Sequence, residues 1–303
     1  MISMNLGYAC INLSLGKKIT PNRTMIKKTF QTKGLDYVSD LVLLNVADLE
    51  KIIDWNEENG IKFYRMSSDM FPWATEYEFT QLKDWPAIKT ILERIGSKAS
   101  LYGQRLTFHP GPFCVLTSPK ESVVQNTIND LEVHGRIMDA MKLSQTPYNK
   151  INIHCNGVYG DKKSAMDRFI ANFKRLSKSV QNRLTIENDD KASMYSVKDL
   201  MYIHNAIKIP IVFDYHHHKF CTGDLSEQQA LELALTTWPK DITPAVHYSE
   251  SASDKKPQAH SDYIFERINT YDRNVAIMIE AKQKDLTILK YRENNYGLFR
   301  KSA

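Results

Sequence analysis

Residues 150–190 read KINIHCNGVYGDKKSAMDRFIANFKRLSKSVQNRLTIENDD. The run KINIHC (150–155) is short, β-rich and closes on His154, and RLTIEN (183–188) closes on Glu187 in the same way. Between them, DKKSAMDRFIANFKRLSKSV (161–180) carries apolar residues at helical spacing. Strand, helix and strand in this order form a βαβ unit, whose two strands lie parallel. Strands buried on both faces read as continuous apolar runs with a polar residue where the chain leaves the sheet.

The same alternation extends in both directions. Strands are expected at 6–15, 61–67, 104–109, 209–215, 242–249 and 275–281 as well. Helical patterns occupy 35–60, 85–100, 118–141, 196–207, 226–238, 261–271 and 285–291. Gly60 suits a helix C-cap, and Ser118, Pro119 and Glu121 read as an N-cap, N1 and N3 set. Eight strand–helix alternations are the count of an α/β fold of the TIM (β/α)8 type, with parallel strands and its active site at their C-terminal ends. A doubly wound open sheet would instead gather ligands at a switch point. No linker or internal repeat divides the chain, so residues 1–303 read as a single catalytic domain, the last few residues a flexible tail.

Strand ends carry the chemistry. In order they are His109, His154, Glu187, Asp214, His247 and Glu280. A lone strand-end histidine is more often a satisfied structural group, but six such donors in register describe a ring that converges on a polynuclear metal site. Glu187 has two oxygens to offer two ions, whereas the following Asp189 and Asp190 suit a helix cap. Asp214 opens DYHHHKF, and its spacing to His217 lets carboxylate and imidazole serve neighbouring ions. His260 can add a ligand from its loop, while His134 and His204 lie inside helical patterns and read as structural. Carboxylates and imidazoles without thiolate favour Mn²⁺, Zn²⁺ or Mg²⁺ over a structural cysteine–zinc site, and two or three such ions suit phosphodiester hydrolysis. Lys219, Lys255, Lys256, Lys282 and Lys284 are available for phosphate contacts, although basic surface residues are common without that role.

Composition sets the outer limits. The 303 residues are 42% hydrophobic and 25% charged, enough for a large core, and the formal net charge of +5 is near neutral as evidence for nucleic acid. Four cysteines without a CxxC pair argue against a disulfide scaffold and for free thiols. The apolar runs are too short to span a bilayer, and the N-terminal stretch reads as a first strand and not a signal peptide.

The strings GYACINLSL, NRT (22–24), YRMSSDMFP, RLTFHPGPF, INIHCNG, LTIENDD, VFDYHHH, VHYSES, AHSDY and IMIEAKQKD resemble the UV damage endonuclease family in order and spacing, over nearly the whole chain. The resemblance implies a barrel similar to that of endonuclease IV. It implies a nuclease that nicks duplex DNA immediately 5′ of UV photoproducts, in some members also at abasic sites. The products would be a 3′-hydroxyl and a 5′-phosphate, made with up to three divalent ions, commonly manganese.

By the same resemblance Glu187 bridges two ions, with His109 and His154 on one. Asp214, His247 and Glu280 complete the other, and His217 and His260 hold a third. Glu187, Asp214, His247 and Glu280 form the catalytic set. Tyr8 and Asn12 face the damaged nucleotides, Tyr8 as a stacking platform; among the basic residues near the ring, Lys282 is expected to contact DNA.

Three positions depart from the family pattern. Pro112 and Phe113 replace a Gln-Tyr pair that wedges into the duplex, and Phe113 keeps the ability to insert. Ala245 replaces a lysine, and Glu76 stands where the family has histidine.

Three rival functions share these features. A sugar isomerase or epimerase uses a similar ring, but in a closed polyol pocket with gripping Arg and Trp residues; the loop aromatics Tyr8, Phe113 and Tyr159 suit an open DNA groove better. A general abasic-site endonuclease would leave pyrimidine dimers uncut, and an impaired damage-binding protein would bind without nicking. The implied location is the cytoplasm at the nucleoid, or the nucleus of a eukaryote, and an open groove suits a monomer.

Overall fold

The structure, a computed structural model, describes residues 4–296. Ten strands occur among them: β1 (Asn5–Ala9), β2 (Phe63–Arg65), β3 (Arg105–Thr107), β4 (Ile151–His154), β5 (Leu184–Glu187), β6 (Ile211–Asp214), β7 (Ala245–Tyr248), β8 (Ser251–Ser253), β9 (Lys256–His260) and β10 (Ala276–Ile279). The helices are α1 (Lys27–Glu58), α2 (Trp85–Tyr102), α3 (Glu121–Ala140), α4 (Lys162–Phe173), α5 (Lys178–Gln181), α6 (Val197–Ile207), α7 (Tyr215–His218), α8 (Glu227–Leu235) and α9 (Lys284–Tyr296).

Eight parallel strands run in the order β3-β2-β1-β10-β7-β6-β5-β4, and a bridge from Phe108 to Ile151 brings β3 beside β4. There the Phe108 N–H donates to the Lys150 carbonyl and the Asn152 N–H to the Phe108 carbonyl, each at 2.9 Å. The sheet therefore closes into a (β/α)8 barrel, which satisfies the edges an open sheet would expose. Helices lay their apolar stripes on its outer face; α2, for example, buries Ile88, Leu92, Ile95, Gly96 and Ala99. A Cβ on Gly96 would stand 1.8 Å from the Met141 carbonyl oxygen, so only glycine fits where α2 meets the end of α3.

Four expectations about elements are corrected. The first strand stops at Ala9 because Cys10 takes φ 72, a left-handed conformation that turns the chain out of the sheet. Helix α3 begins at Glu121, and Ser118 does not cap it; its Oγ accepts from the Lys120 N–H in a local turn. Helix α1 starts earlier than expected and is broken at Gly34, where φ is 65. No helix forms over 261–271. The Phe265 and Glu266 N–H groups donate to the Glu250 carboxylate at 2.8 and 2.9 Å, and the Ile268 N–H donates to the Tyr291 hydroxyl at 3.0 Å. Side chains thus take the donors a helix would use, and the antiparallel β8–β9 hairpin precedes this irregular segment.

The expected flexible tail lies outside the described residues. All four cysteines are free, and no helix among the described residues is long and apolar enough to cross a membrane.

Candidate metal centre

Strand register brings the donors to one level. His154 on β4 pairs with Glu187 on β5, and Asp214 on β6 pairs with His247 on β7. Side chains paired in register across neighbouring parallel strands share a face, here the mouth of the barrel. Three overlapping groups result, each with ligand atoms within 4.8 Å of one another: His109, His154 and Glu187; His109, His247 and Glu280; and Glu187, Asp214 and His217. Glu187 and His109 each belong to two groups. This partition differs from the one the family resemblance implies. Asp214 sits with Glu187 and His217, apart from His247 and Glu280, which share His109. His260, at the end of the β8–β9 hairpin, reaches the cluster through Glu280, its Nε2 lying 3.8 Å from Oε2.

Three of the imidazoles have an oxygen behind them. His109 Nδ1 lies 3.1 Å from the Pro110 carbonyl while Nε2 lies 3.1 Å from Glu187 Oε2. His154 Nδ1 is 3.1 Å from Asp189 Oδ1, and His217 Nδ1 is 2.9 Å from the Asn188 carbonyl. His247 Nδ1 faces Glu187 Oε2 at 3.1 Å and Glu280 Oε1 at 3.3 Å. Orienting partners of this kind fix which ring nitrogen a metal meets.

Several of these donors are buried with nothing to bond. Glu187 Oε1, Asp214 Oδ2 and His247 Nδ1 are solvent-inaccessible and lack a hydrogen-bond partner among the described residues. A folded protein rarely leaves such atoms orphaned, and cations held by the groups these residues belong to would satisfy them. The electrostatics agree. Burial would raise the Glu187 carboxyl, but the nearby His247 and His154 imidazoles and a hydrogen bond from His109 hold it well below the usual carboxylate range. Burial pushes the Asp214 carboxyl up; His217 opposes that shift, and the charges of Glu187 and Glu280 add to it. Crowded carboxylates among imidazoles are the condition that a divalent cation relieves, so the donor set fits a metal.

Three functional residues escape the strand-end reading. Arg65, at the end of β2, is ion-paired with Glu280. Asn152, two residues before His154 and so on the same strand face, donates to Glu187 Oε2. Asp189 backs His154 and does not cap the next helix, whose N-cap is Ser196. A polar residue two positions inside an apolar strand was the available signal for Asn152, and the strand-end rule applied to a cation would have found Arg65.

The family profile described as UV-endonuclease UvdE matches residues 4–299. The chain belongs to the UV-endonuclease family. It is similar to a UV-damage endonuclease of Schizosaccharomyces pombe, with 39% identity over 302 residues that cover 94% of this chain and 49% of that protein. The chain thus spans about half the length of that relative. A crystal structure of SacUVDE superposes with a TM-score of 0.85 at 32% identity, covering 95% of this chain and 96% of that one. Endonuclease IV from Thermus thermophilus shares the fold alone, at TM-score 0.57 and 10% identity, over 95% of this chain and 97% of that one.

Within this UV-endonuclease barrel the remaining expected residues fall in different environments. Phe113 is 90% exposed, next to exposed Pro112, on the loop that follows His109. Tyr8 and Asn12 are buried, which corrects the expectation of a stacking platform. The Tyr8 hydroxyl donates to Asn56 and accepts from Asn12, both at 2.8 Å, and no ring face is open to a base. Lys282 is exposed and 3.4 Å from Asp262. Glu76 is exposed and joins none of the three ligand groups.

Proposed function

We propose that this protein is a metal-dependent endonuclease that hydrolyses the phosphodiester immediately 5′ of UV photoproducts in duplex DNA. The observation that carries the reading is the set of three donor groups joined through Glu187 and His109 at the mouth of a UV-endonuclease barrel. Two or three ions, Mn²⁺ by preference, would be held by His109, His154, Glu187, Asp214, His217, His247, His260 and Glu280. Bound there, they supply Lewis acidity and an activated water.

The remaining tasks belong to the protein. Asn152 fixes the Glu187 carboxylate, and the Pro110, Asn188 and Asp189 oxygens fix the imidazoles. Arg65 places a permanent cation beside Glu280, where phosphate charge must be balanced. Phe113 inserts at the lesion from a loop that Pro112 stiffens, and exposed Lys282 contacts the backbone. Tyr8 and Asn12 support the loop after β1 from beneath it. Such an enzyme acts where DNA is, in the nucleoid or the nucleus.

The abasic-site reading uses the same centre and differs in substrate alone. UV-irradiated and unirradiated plasmids, with Mn²⁺ or with chelator, test the proposal. Metal-dependent nicking confined to irradiated plasmid is expected, and end-labelled duplexes carrying one dimer or one abasic site locate the cut. Binding of irradiated DNA without nicking at any divalent ion would overturn the enzymatic reading.

A further inference from the structure

Lys150 immediately precedes β4 and is fully buried. Among the described residues no carboxylate oxygen lies within ion-pair distance of its Nζ. The one hydrogen-bond partner of Nζ is an imidazole, His247 Nε2, at 3.1 Å. β4 and β7 are not neighbours in the sheet, since β5 and β6 stand between them on one side. The side chain therefore reaches across the barrel interior beneath the ligand cluster. On β7, Ala245 stands two residues before His247, on the same face and one layer deeper, and is fully buried.

A buried lysine without a carboxylate is costly, and a protein keeps one where it has a task. His247 has no other fixed partner on that side. Its Nδ1 faces Glu187 and Glu280, and that nitrogen can meet a metal only in the tautomer whose proton sits on Nε2, the atom that faces Lys150.

We infer that Lys150 is a positioning residue for the metal centre: as a neutral amine accepting from His247 Nε2–H across the barrel, it fixes the tautomer and aims Nδ1 at the group formed with His109 and Glu280. The inference rests on reading the three donor groups as a metal centre. Lys150 touches neither DNA nor the reacting atoms, and its effect passes through one ligand of one group.

The test is Mn²⁺ binding, followed by electron paramagnetic resonance at fixed pH and protein concentration, for the full chain, Lys150→Met, His247→Ala and the double variant. Lys150→Met is expected to weaken one class of site by about 10- to 100-fold and leave the others unchanged. Its effect should vanish in the His247→Ala background, because both changes disable the same ligand. Lys150→Met with wild-type Mn²⁺ binding would overturn the inference alone. A wild-type protein that binds no divalent ion would overturn the metal reading and the inference with it. Should Lys150→Met fail to fold, Lys150→Ala with Ala245→Lys returns an amine beneath His247 from β7. Recovery of the weakened site then supports the inference, and a folded double variant without recovery overturns it.

Discussion

Arg65 and Glu280 are ion-paired across the barrel mouth, although β2 and β10 are separated in the sheet by β1. Both side chains are largely withdrawn from solvent, at 15% and 9% exposure. Removing one partner of such a pair strands the other, at a cost of about 3–5 kcal/mol. Arg65→Met should therefore lower the melting temperature of the metal-free protein. A divalent ion can replace the lost cation at Glu280, so Mn²⁺ should raise the melting temperature more in the variant than in the parent. Equal metal-induced shifts in calorimetry would show that Glu280 is not a ligand.

Glu187 is shared by two donor groups, so neutralising it should disable both. Glu187→Gln keeps the shape of the side chain and removes its charge. Nicking of irradiated DNA should fall by about 100-fold or more, equivalent to about 3 kcal/mol of transition-state stabilisation. The number of ions bound per chain, from metal analysis after desalting, should fall with it. Unchanged stoichiometry would place the metals elsewhere.

Phe113→Ala tests lesion recognition apart from folding. Its side chain is 90% exposed, so Phe113→Ala should alter stability by no more than about 0.5 kcal/mol. Loss of an inserted ring should weaken binding to irradiated duplex by about 1–3 kcal/mol. Binding to unirradiated duplex should hardly change. Fluorescence anisotropy on both duplexes gives the comparison, and parallel losses on both would make Phe113 a general DNA contact.

A pH prediction comes from the outer layer, away from the metal ligands. Glu50 on α1 is hydrogen-bonded and ion-paired to Arg94 and Lys98 on α2, which hold its carboxyl down to about 2. A depressed carboxyl stabilises the fold above its unfolded value and loses that contribution as pH falls toward its folded value. Its share of stability should be present above about pH 4.5 and lost between there and about pH 2. Partial exposure screens the pair, so Glu50→Gln should cost about 1 kcal/mol at neutral pH and nothing at about pH 2. Urea unfolding at the two pH values measures the difference.

Strand positions, the barrel and the ring of donors at its mouth are all legible in the sequence. A buried strand must end where a polar residue can reach a loop, and that constraint is local. His154, Glu187 and Asp214 close their strands, Glu280 and His109 follow theirs by one and two residues, and His247 is the penultimate residue of β7. The helix expected at 261–271 fails because its backbone donors are taken by Glu250 and Tyr291, partners remote in the chain. Tyr8 reads as a loop aromatic, yet Asn12 and Asn56 enclose it. The division of donors among three groups depends on distances across the barrel. So does the role of Lys150, which opens the run KINIHC and whose hydrogen-bond partner among the described residues is ninety-seven residues away. By itself the sequence determined which side chains stand at the strand ends, because burial along a strand is a local property. Only closure of the barrel decided which of them meet, because their distances are set by strand order and register.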